Sequence, residues 1–134
     1  MFKIAIVEKI DEAGLKILEK HNNFEYEIIE NVSKNNLIKE LPKYDALTLR
    51  VAKLDSEILK HCKKLKVISR HGVGYDNVDL NFLKQNNINL LITATANAVA
   101  VAEHAMYMML SLSKGVTYYD TAVRSGDFKK NVSK

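Results

Sequence analysis

The sequence of 134 residues predicts an α/β fold built on one parallel sheet. Three observations support this prediction. Five short apolar runs are bounded by polar or glycine-containing turns and have the character of buried strands. Segments with helical spacing separate these runs, and strands that alternate with helices form parallel sheets. After the fifth run the pattern changes to a long helix that is apolar on nearly all sides.

The predicted strands are residues 3–7, 25–29, 46–49, 65–69 and 88–92. The predicted helices between them are residues 11–20, 35–41 after a Ser33 cap, a short helix capped by Asp55, and 78–85. Five strands of this kind fit a flavodoxin-like doubly wound sheet with the order 2-1-3-4-5. Ligands of such sheets bind beyond the carboxyl ends of the strands.

The turn after the fourth predicted strand contains two glycines one residue apart, Gly72 and Gly74. They allow the backbone to turn sharply and to approach another group closely. Asn77 or Asp79 is the expected N-cap of the helix that follows. Successive backbone N–H groups in such a connection can form an anion-binding nest. The two glycines alone are equally compatible with a tight connection that binds nothing.

Arginine is scarce in this lysine-rich chain, and Arg50 stands at the carboxyl end of the third predicted strand. A planar guanidinium can make a bidentate fork to an anion. The carboxyl ends of parallel strands meet at one edge of the sheet. We therefore expect Arg50, the glycine turn and residues 93–97 at that same edge.

Composition excludes several classes of function. The net charge is +4, but the lysines are scattered, so no nucleic-acid partner is predicted. No apolar run has membrane-spanning length, and no membrane partner is predicted. The single cysteine, Cys62, cannot form an internal disulfide, which favours a cytoplasmic location. No metal site is predicted.

The long helix is predicted over residues 98–114, with Asn97 as its N-cap and Gly115 as its stop, and a second helix follows to Ser125. Met106 and Met108 point in directions about 200° apart at the helical period. One such face can pack on the chain itself and the other cannot. We therefore expect a homodimer that forms through residues 98–125.

Three segments resemble the D-isomer-specific 2-hydroxyacid dehydrogenases. Residues 67–80, VISRHGVGYDNVDL, are similar to a segment of that family's substrate-binding domain, most closely in the D-3-phosphoglycerate dehydrogenase branch. Leu49-Arg50 resembles an arginine-bearing strand end, and residues 97–104 resemble the start of the interdomain helix. The resemblance implies a substrate-binding domain over residues 1–97, with residues 98–134 beginning an NAD-binding Rossmann domain.

The resemblance also implies roles for single residues. Arg50 matches a position that contacts the acidic substrate. The backbone at Val73 and Gly74, in the turn that begins at Gly72, matches positions that hold the substrate carboxylate, and Val73 is also near the cofactor. Asn97 matches a position near the substrate in some members, and Val101 matches one that lines the nicotinamide pocket. The sequence departs from the family pattern at Ala94, where many members carry proline.

The implied reaction is hydride transfer between NAD and the CH–OH group of a D-2-hydroxy acid. The chain contains no G-x-G-x-x-G, and the family's catalytic Arg, Glu and His match none of its residues. We therefore expect this chain alone to be inactive, with no catalytic residue and no tight NAD site. The partner is a small anionic 2-hydroxy or 2-oxo acid: phosphoglycerate, hydroxypyruvate, glyoxylate and erythronate phosphate all fit.

Two alternative functions are a response-regulator receiver and a non-catalytic binding or corepressor module. A response-regulator receiver has an acidic cluster after the first strand and an aspartate after the third. Here Glu8 stands alone and Arg50 occupies the second position, which argues against a receiver. A non-catalytic binding or corepressor module, a role that some relatives have adopted, stays open as the alternative.

Overall fold

The computed structural model describes residues 1–127 as two compact units, Met1–Ala94 and a second unit that begins at Thr95. The first unit contains β1 (Phe2–Val7), α1 (Glu12–Glu19), β2 (Phe24–Ile29), α2 (Lys34–Glu40), a 3-10 turn (Leu41–Lys43), β3 (Ala46–Leu49), α3 (Ser56–Leu59), β4 (Val67–Arg70), α4 (Leu80–Gln85) and β5 (Asn89–Ile92). The second unit contains α5 (Ala98–Lys114) and α6 (Val116–Arg124).

The five strands form one parallel sheet in the order β2-β1-β3-β4-β5. This confirms the predicted doubly wound α/β fold. The order reverses at β1, which lies between β2 and β3, and such a reversal opens a crevice at the carboxyl edge of the sheet. The edge is therefore the place where the predicted site residues are to be sought.

One face of the sheet carries the main hydrophobic core. Ala5, Leu47 and Ile68 are register partners on neighbouring strands, and each is essentially inaccessible to solvent. They pack with Leu37 of α2, Leu59 of α3 and Leu83 of α4. Each fully buried aliphatic side chain contributes roughly 1.5–3 kcal/mol to folding. This core fixes the strand ends that carry the candidate site.

The opposite face is covered differently. Its register partners Ile6, Thr48, Ser69 and Leu91 pass from fully buried on β1 to 58% exposed on β5. Gly14 of α1 lines a cleft with Thr48 and Ser69, so α1 lies over this face. Small hydroxyl side chains occupy the part of the face between α1 and β5.

Some predicted helix boundaries differ from the structure. Helix α4 begins at Leu80 rather than Val78, because Val78 pairs with Leu54 in a bridge and the Asp79 carboxylate caps the helix at the Phe82 amide, 3.0 Å away. Ser33 occupies the N-cap position of α2, but its hydroxyl makes no capping hydrogen bond.

Helix α5 spans the predicted residues, and Gly115 ends it in the left-handed conformation with φ 58°. Asn97 occupies the predicted N-cap position of α5, but its side chain makes no capping hydrogen bond, because its φ of −111° and ψ of 10° are not the extended geometry that a capping side chain needs. No residue of α5 is buried, and Leu112 is 85% exposed. Between residues 1 and 127 no helix is long and apolar enough to span a membrane.

Candidate functional site

The glycine turn is hydrogen-bonded to the strand ends on both sides. The His71 amide donates to the Leu49 carbonyl of β3 at 2.7 Å. The Gly72 carbonyl accepts from the Thr93 amide just after β5 at 3.1 Å. These bonds continue the parallel ladder past the end of β4, so the turn is held at the carboxyl edge of the sheet.

The backbone conformation at position 72 favours glycine. Its φ of 150° lies in a region that is essentially restricted to glycine. Arg70 Nη1 donates to the His71 carbonyl at 2.6 Å, and a Cβ on Gly72 would overlap that same nitrogen. The Arg70 side chain therefore packs directly against the turn. Arg70 Nε is buried and has no hydrogen-bond partner within residues 1–127.

The amides of Val73 and Gly74 are the free donors of this turn. Neither N–H group has an acceptor within the part of the chain that the structure describes. Both residues are exposed. Adjacent unpaired N–H groups in an exposed turn can bind a carboxylate or phosphate oxygen. The turn therefore offers two unpaired amides at the second and third residues of the G-V-G sequence, where an anion nest is predicted.

Arg50 lies at the same edge. Its guanidinium is exposed, and Nη1 donates to the Lys9 carbonyl at 3.2 Å. The Asn77 side-chain amide donates to the carbonyls of Arg50, at 3.3 Å, and of Ala52, at 2.8 Å. Asn77 therefore ties the end of the glycine turn to the end of β3, and the structure joins the two predicted site segments.

Glu8 is a part of this edge that the sequence prediction missed. It ends β1 with φ 69°, uncommon for a residue other than glycine. Its Oε2 atom accepts hydrogen bonds from the amides of Val51, at 2.7 Å, and Ala52, at 2.9 Å. Glu8 and its partners are separated by more than forty residues of sequence, and no local sequence motif predicts these contacts.

A cleft of about 260 Å3 lies beside the turn on the α1 side of the sheet. Its lining residues are Ile10, Asp11, Gly14, Thr48, Ser69, His71 and Thr93. His71 thus faces the cleft rather than the core, and its role stays unassigned.

The other two predicted site residues belong to the second unit. The Asn97 carbonyl accepts from the Val101 amide at 2.9 Å in the first turn of α5, and both residues are exposed. Within residues 1–127, no group of three His, Cys, Asp or Glu side chains is placed to hold a metal ion. Cys62 is buried, and burial raises the pKa of its thiol to about 11.

A doubly wound domain with free turn amides and an arginine at its switch-point edge is suited to hold a small anion. The chain belongs to the D-isomer specific 2-hydroxyacid dehydrogenase family, whose catalytic-domain model matches residues 4–126. This confirms the resemblance seen in the sequence.

Curated relatives include D-3-phosphoglycerate dehydrogenase of Archaeoglobus fulgidus, 34% identical over 129 residues that make up 96% of this chain and 24% of the relative. Hydroxypyruvate reductase of Thermotoga maritima is 31% identical over 99% of this chain and 44% of its own length. The chain thus spans less than half the length of these relatives.

Solved structures confirm the fold. The PH0520 protein of Pyrococcus horikoshii superposes with a TM-score of 0.84 at 28% identity, covering 96% of this chain and 38% of that one. The NAD+-bound 3-phosphoglycerate dehydrogenase of Entamoeba histolytica has a TM-score of 0.72 at 33% identity, covering 82% of this chain and 38% of that one.

Proposed function

We propose that this chain is the substrate-binding part of an NAD-dependent oxidoreductase that acts on the CH–OH group of a D-2-hydroxy acid. The observation that carries the proposal is the joining of two free amides, at Val73 and Gly74, to the Arg50 strand end at one edge of the sheet. The relative from Archaeoglobus fulgidus supports a phosphoglycerate-type substrate.

On a substrate with two acidic groups, the turn amides and Arg50 each bind a different group. The amides of Val73 and Gly74 donate hydrogen bonds to the carboxylate beside the reacting carbon, and Arg50 makes charge-assisted hydrogen bonds to the second anionic group. Both contacts orient the acid and complement its charge, which is how a binding domain contributes to the rate. No proton transfer is assigned to this chain.

The cofactor of the whole enzyme is proposed to be NAD, supported by the NAD+-bound relative. The residues of this chain do not form a dinucleotide site by themselves. Val73 and Val101 are each exposed and apolar, and the family resemblance is what suggests a role for each near the nicotinamide, but the phosphate-binding glycine fingerprint is absent from the sequence. No step through the nucleotide is therefore assigned to these residues.

Two further properties are proposed. A homodimer forms through residues 98–125, supported by the exposed apolar side chains of α5.

The cytoplasm is the proposed location, supported by the single buried thiol of Cys62. The division into a substrate-binding domain, residues 1–97, and the start of a cofactor domain, residues 98–134, is likewise proposed from the family resemblance.

An NMR titration of the chain with 3-phosphoglycerate tests the proposed function. We expect the Val73 and Gly74 amides and the Arg50 guanidinium to shift. The dissociation constant should be about millimolar, roughly 4 kcal/mol, because the site is open to water. Glyoxylate, which lacks the second anionic group, should shift the two amides but not Arg50.

Arg50→Lys should weaken the binding of 3-phosphoglycerate because the planar fork is lost. Arg124→Lys is the matched control, since Arg124 is exposed on α6 and pairs with Asp120. Shifts that map elsewhere and that Arg50→Ala does not change would show that the site is assigned wrongly.

A further inference from the structure

We propose that Glu8 is a positioning residue for Arg50, acting together with Asn77. Glu8 contacts the two residues that follow Arg50 and holds residues 50–52, the Arg50 segment, in a fixed path. This inference rests on the proposed function, because it assigns Glu8 a role in anion binding through Arg50.

The first observation that supports the proposal is that side chains from two other parts of the fold hydrogen-bond to the backbone of the Arg50 segment. Glu8 accepts from the amides of Val51 and Ala52, at 2.7 and 2.9 Å. Asn77 donates to the carbonyls of Arg50 and Ala52. Four backbone groups of three consecutive residues are thus bound by two side chains, one from the end of β1 and one from the glycine turn.

The second support is the backbone of Glu8 itself. A left-handed conformation is unfavourable at a residue other than glycine and persists only where surrounding contacts determine it. Here the conformation delivers the carboxylate to two amides, and hydrogen bonds to an ionised acceptor are the stronger kind. The unfavourable φ of 69° is therefore offset by contacts whose other end is the Arg50 segment.

The third support concerns which amides are left for a ligand. The Val51 and Ala52 amides form a pair at the end of β3 that could itself bind an anion. The Glu8 carboxylate fills that pair from within the chain. The amides of Val73 and Gly74 stay unpaired, and Arg50 directly precedes the pair of amides that Glu8 holds. A fixed backbone lowers the ordering cost when the arginine engages its ligand.

A purely electrostatic role for Glu8 makes the opposite prediction. The carboxylate is a negative charge near an anion site, so its removal by any substitution should strengthen anion binding. A positioning role predicts that only the loss of the acceptor atoms weakens binding. Gln keeps an acceptor oxygen at the same length, whereas Ala removes it.

The experiment titrates 3-phosphoglycerate into the full chain and its variants by NMR. We expect Glu8→Ala to weaken binding about five-fold, and the weakening to disappear in an Arg50→Ala background because the two residues are coupled. Glu8→Gln should bind at least as tightly as the unaltered chain. Glu30→Ala, at an exposed position after β2, is the control and should not weaken binding.

Amide hydrogen exchange without any ligand provides the second readout. Exchange at Val51 and Ala52 should accelerate in Glu8→Ala and stay slow in Glu8→Gln, while core strand amides keep their protection in both. Unchanged exchange, faster exchange with unchanged affinity, or tighter binding in both Glu8 variants would each overturn the positioning role. If 3-phosphoglycerate leaves Arg50 unperturbed in the unaltered chain, the proposed function fails and this role falls with it.

Discussion

Gly72 is favoured by its backbone conformation, and a side chain there would also displace the end of Arg70. Its φ of 150° excludes other residues on conformational grounds, and the Arg70 guanidinium occupies the volume where a Cβ would lie. Gly74 is different, because its φ is not positive and the nearest atom to an added Cβ is 3.9 Å away. The two glycines of one motif therefore serve different purposes: Gly72 permits the turn, and Gly74 leaves an exposed amide.

Gly72→Ala should lower the free energy of unfolding by about 1–3 kcal/mol, because Ala must adopt a disfavoured φ and displace Arg70. Gly74→Ala is the matched control and should change it by less than about 0.5 kcal/mol. Urea unfolding followed by circular dichroism measures both. Equal loss of stability in the two variants would contradict the separate purposes of the glycines.

Several site residues could be predicted from the sequence because their signals are local. Arg50 directly follows a strand, and Gly72 to Gly74 stand between a strand and a helix cap. Glu8 could not be predicted in the same way. Its partners lie 43 and 44 residues away, and only the parallel pairing of β1 with β3 brings them within hydrogen-bond distance.

At the scale of elements, the bounds of α5 could be predicted from the sequence, whereas the capping at its first turn could not. Its bounds were predicted because a mostly apolar segment begins after Asn97 and stops at a glycine, which adopts the left-handed conformation there. The N-cap position of Asn97 was also predicted, but the lack of a capping hydrogen bond from its side chain was not, since capping depends on a backbone conformation that the residue type alone does not specify. The apolar surface of α5 was predicted, and what covers it is a proposal.

The proposed homodimer predicts the behaviour of α5 variants. Sedimentation velocity at micromolar concentration should show a dimer for the unaltered chain. The double change Met108→Glu and Leu112→Glu should dissociate it, because each buried Met or Leu contributes roughly 1.5–3 kcal/mol and a buried carboxylate is costly. Ser113→Glu adds one such carboxylate at an exposed polar position of the helix and should leave the dimer intact.

A monomer at all concentrations would contradict the interface, most clearly if the α5 amides were also protected from hydrogen exchange. Protection in a monomer would mean that the helix finds its cover within a single chain.

At the scale of the whole molecule, the strand order followed from the alternation of strands and helices. The unequal covering of the two sheet faces did not follow from it. The sheet face that carries Thr48, Ser69 and Leu91 mixes small polar and apolar residues. Both buried and exposed sheet faces can have that composition. Only the placement of α1 shows which part of the face is covered.

The absence of a nucleotide fingerprint predicts that residues 1–134 do not oxidise NADH when mixed with hydroxypyruvate, glyoxylate or phosphohydroxypyruvate. NADH absorbance measures the rate, with the full-length hydroxypyruvate reductase of Thermotoga maritima as the positive control. Oxidation that scales with the concentration of this chain would contradict the assignment of the chain to substrate binding alone.

The strand order β2-β1-β3-β4-β5 has a consequence for biosynthesis. From β4 onward, every strand that leaves the ribosome pairs with the strand made just before it. The nascent sheet therefore grows outward from β3 in the direction of translation, and its growing edge is open at each stage. Such an edge can recruit a strand from another chain. The sheet is most vulnerable to that capture while the next strand still lies within the exit tunnel.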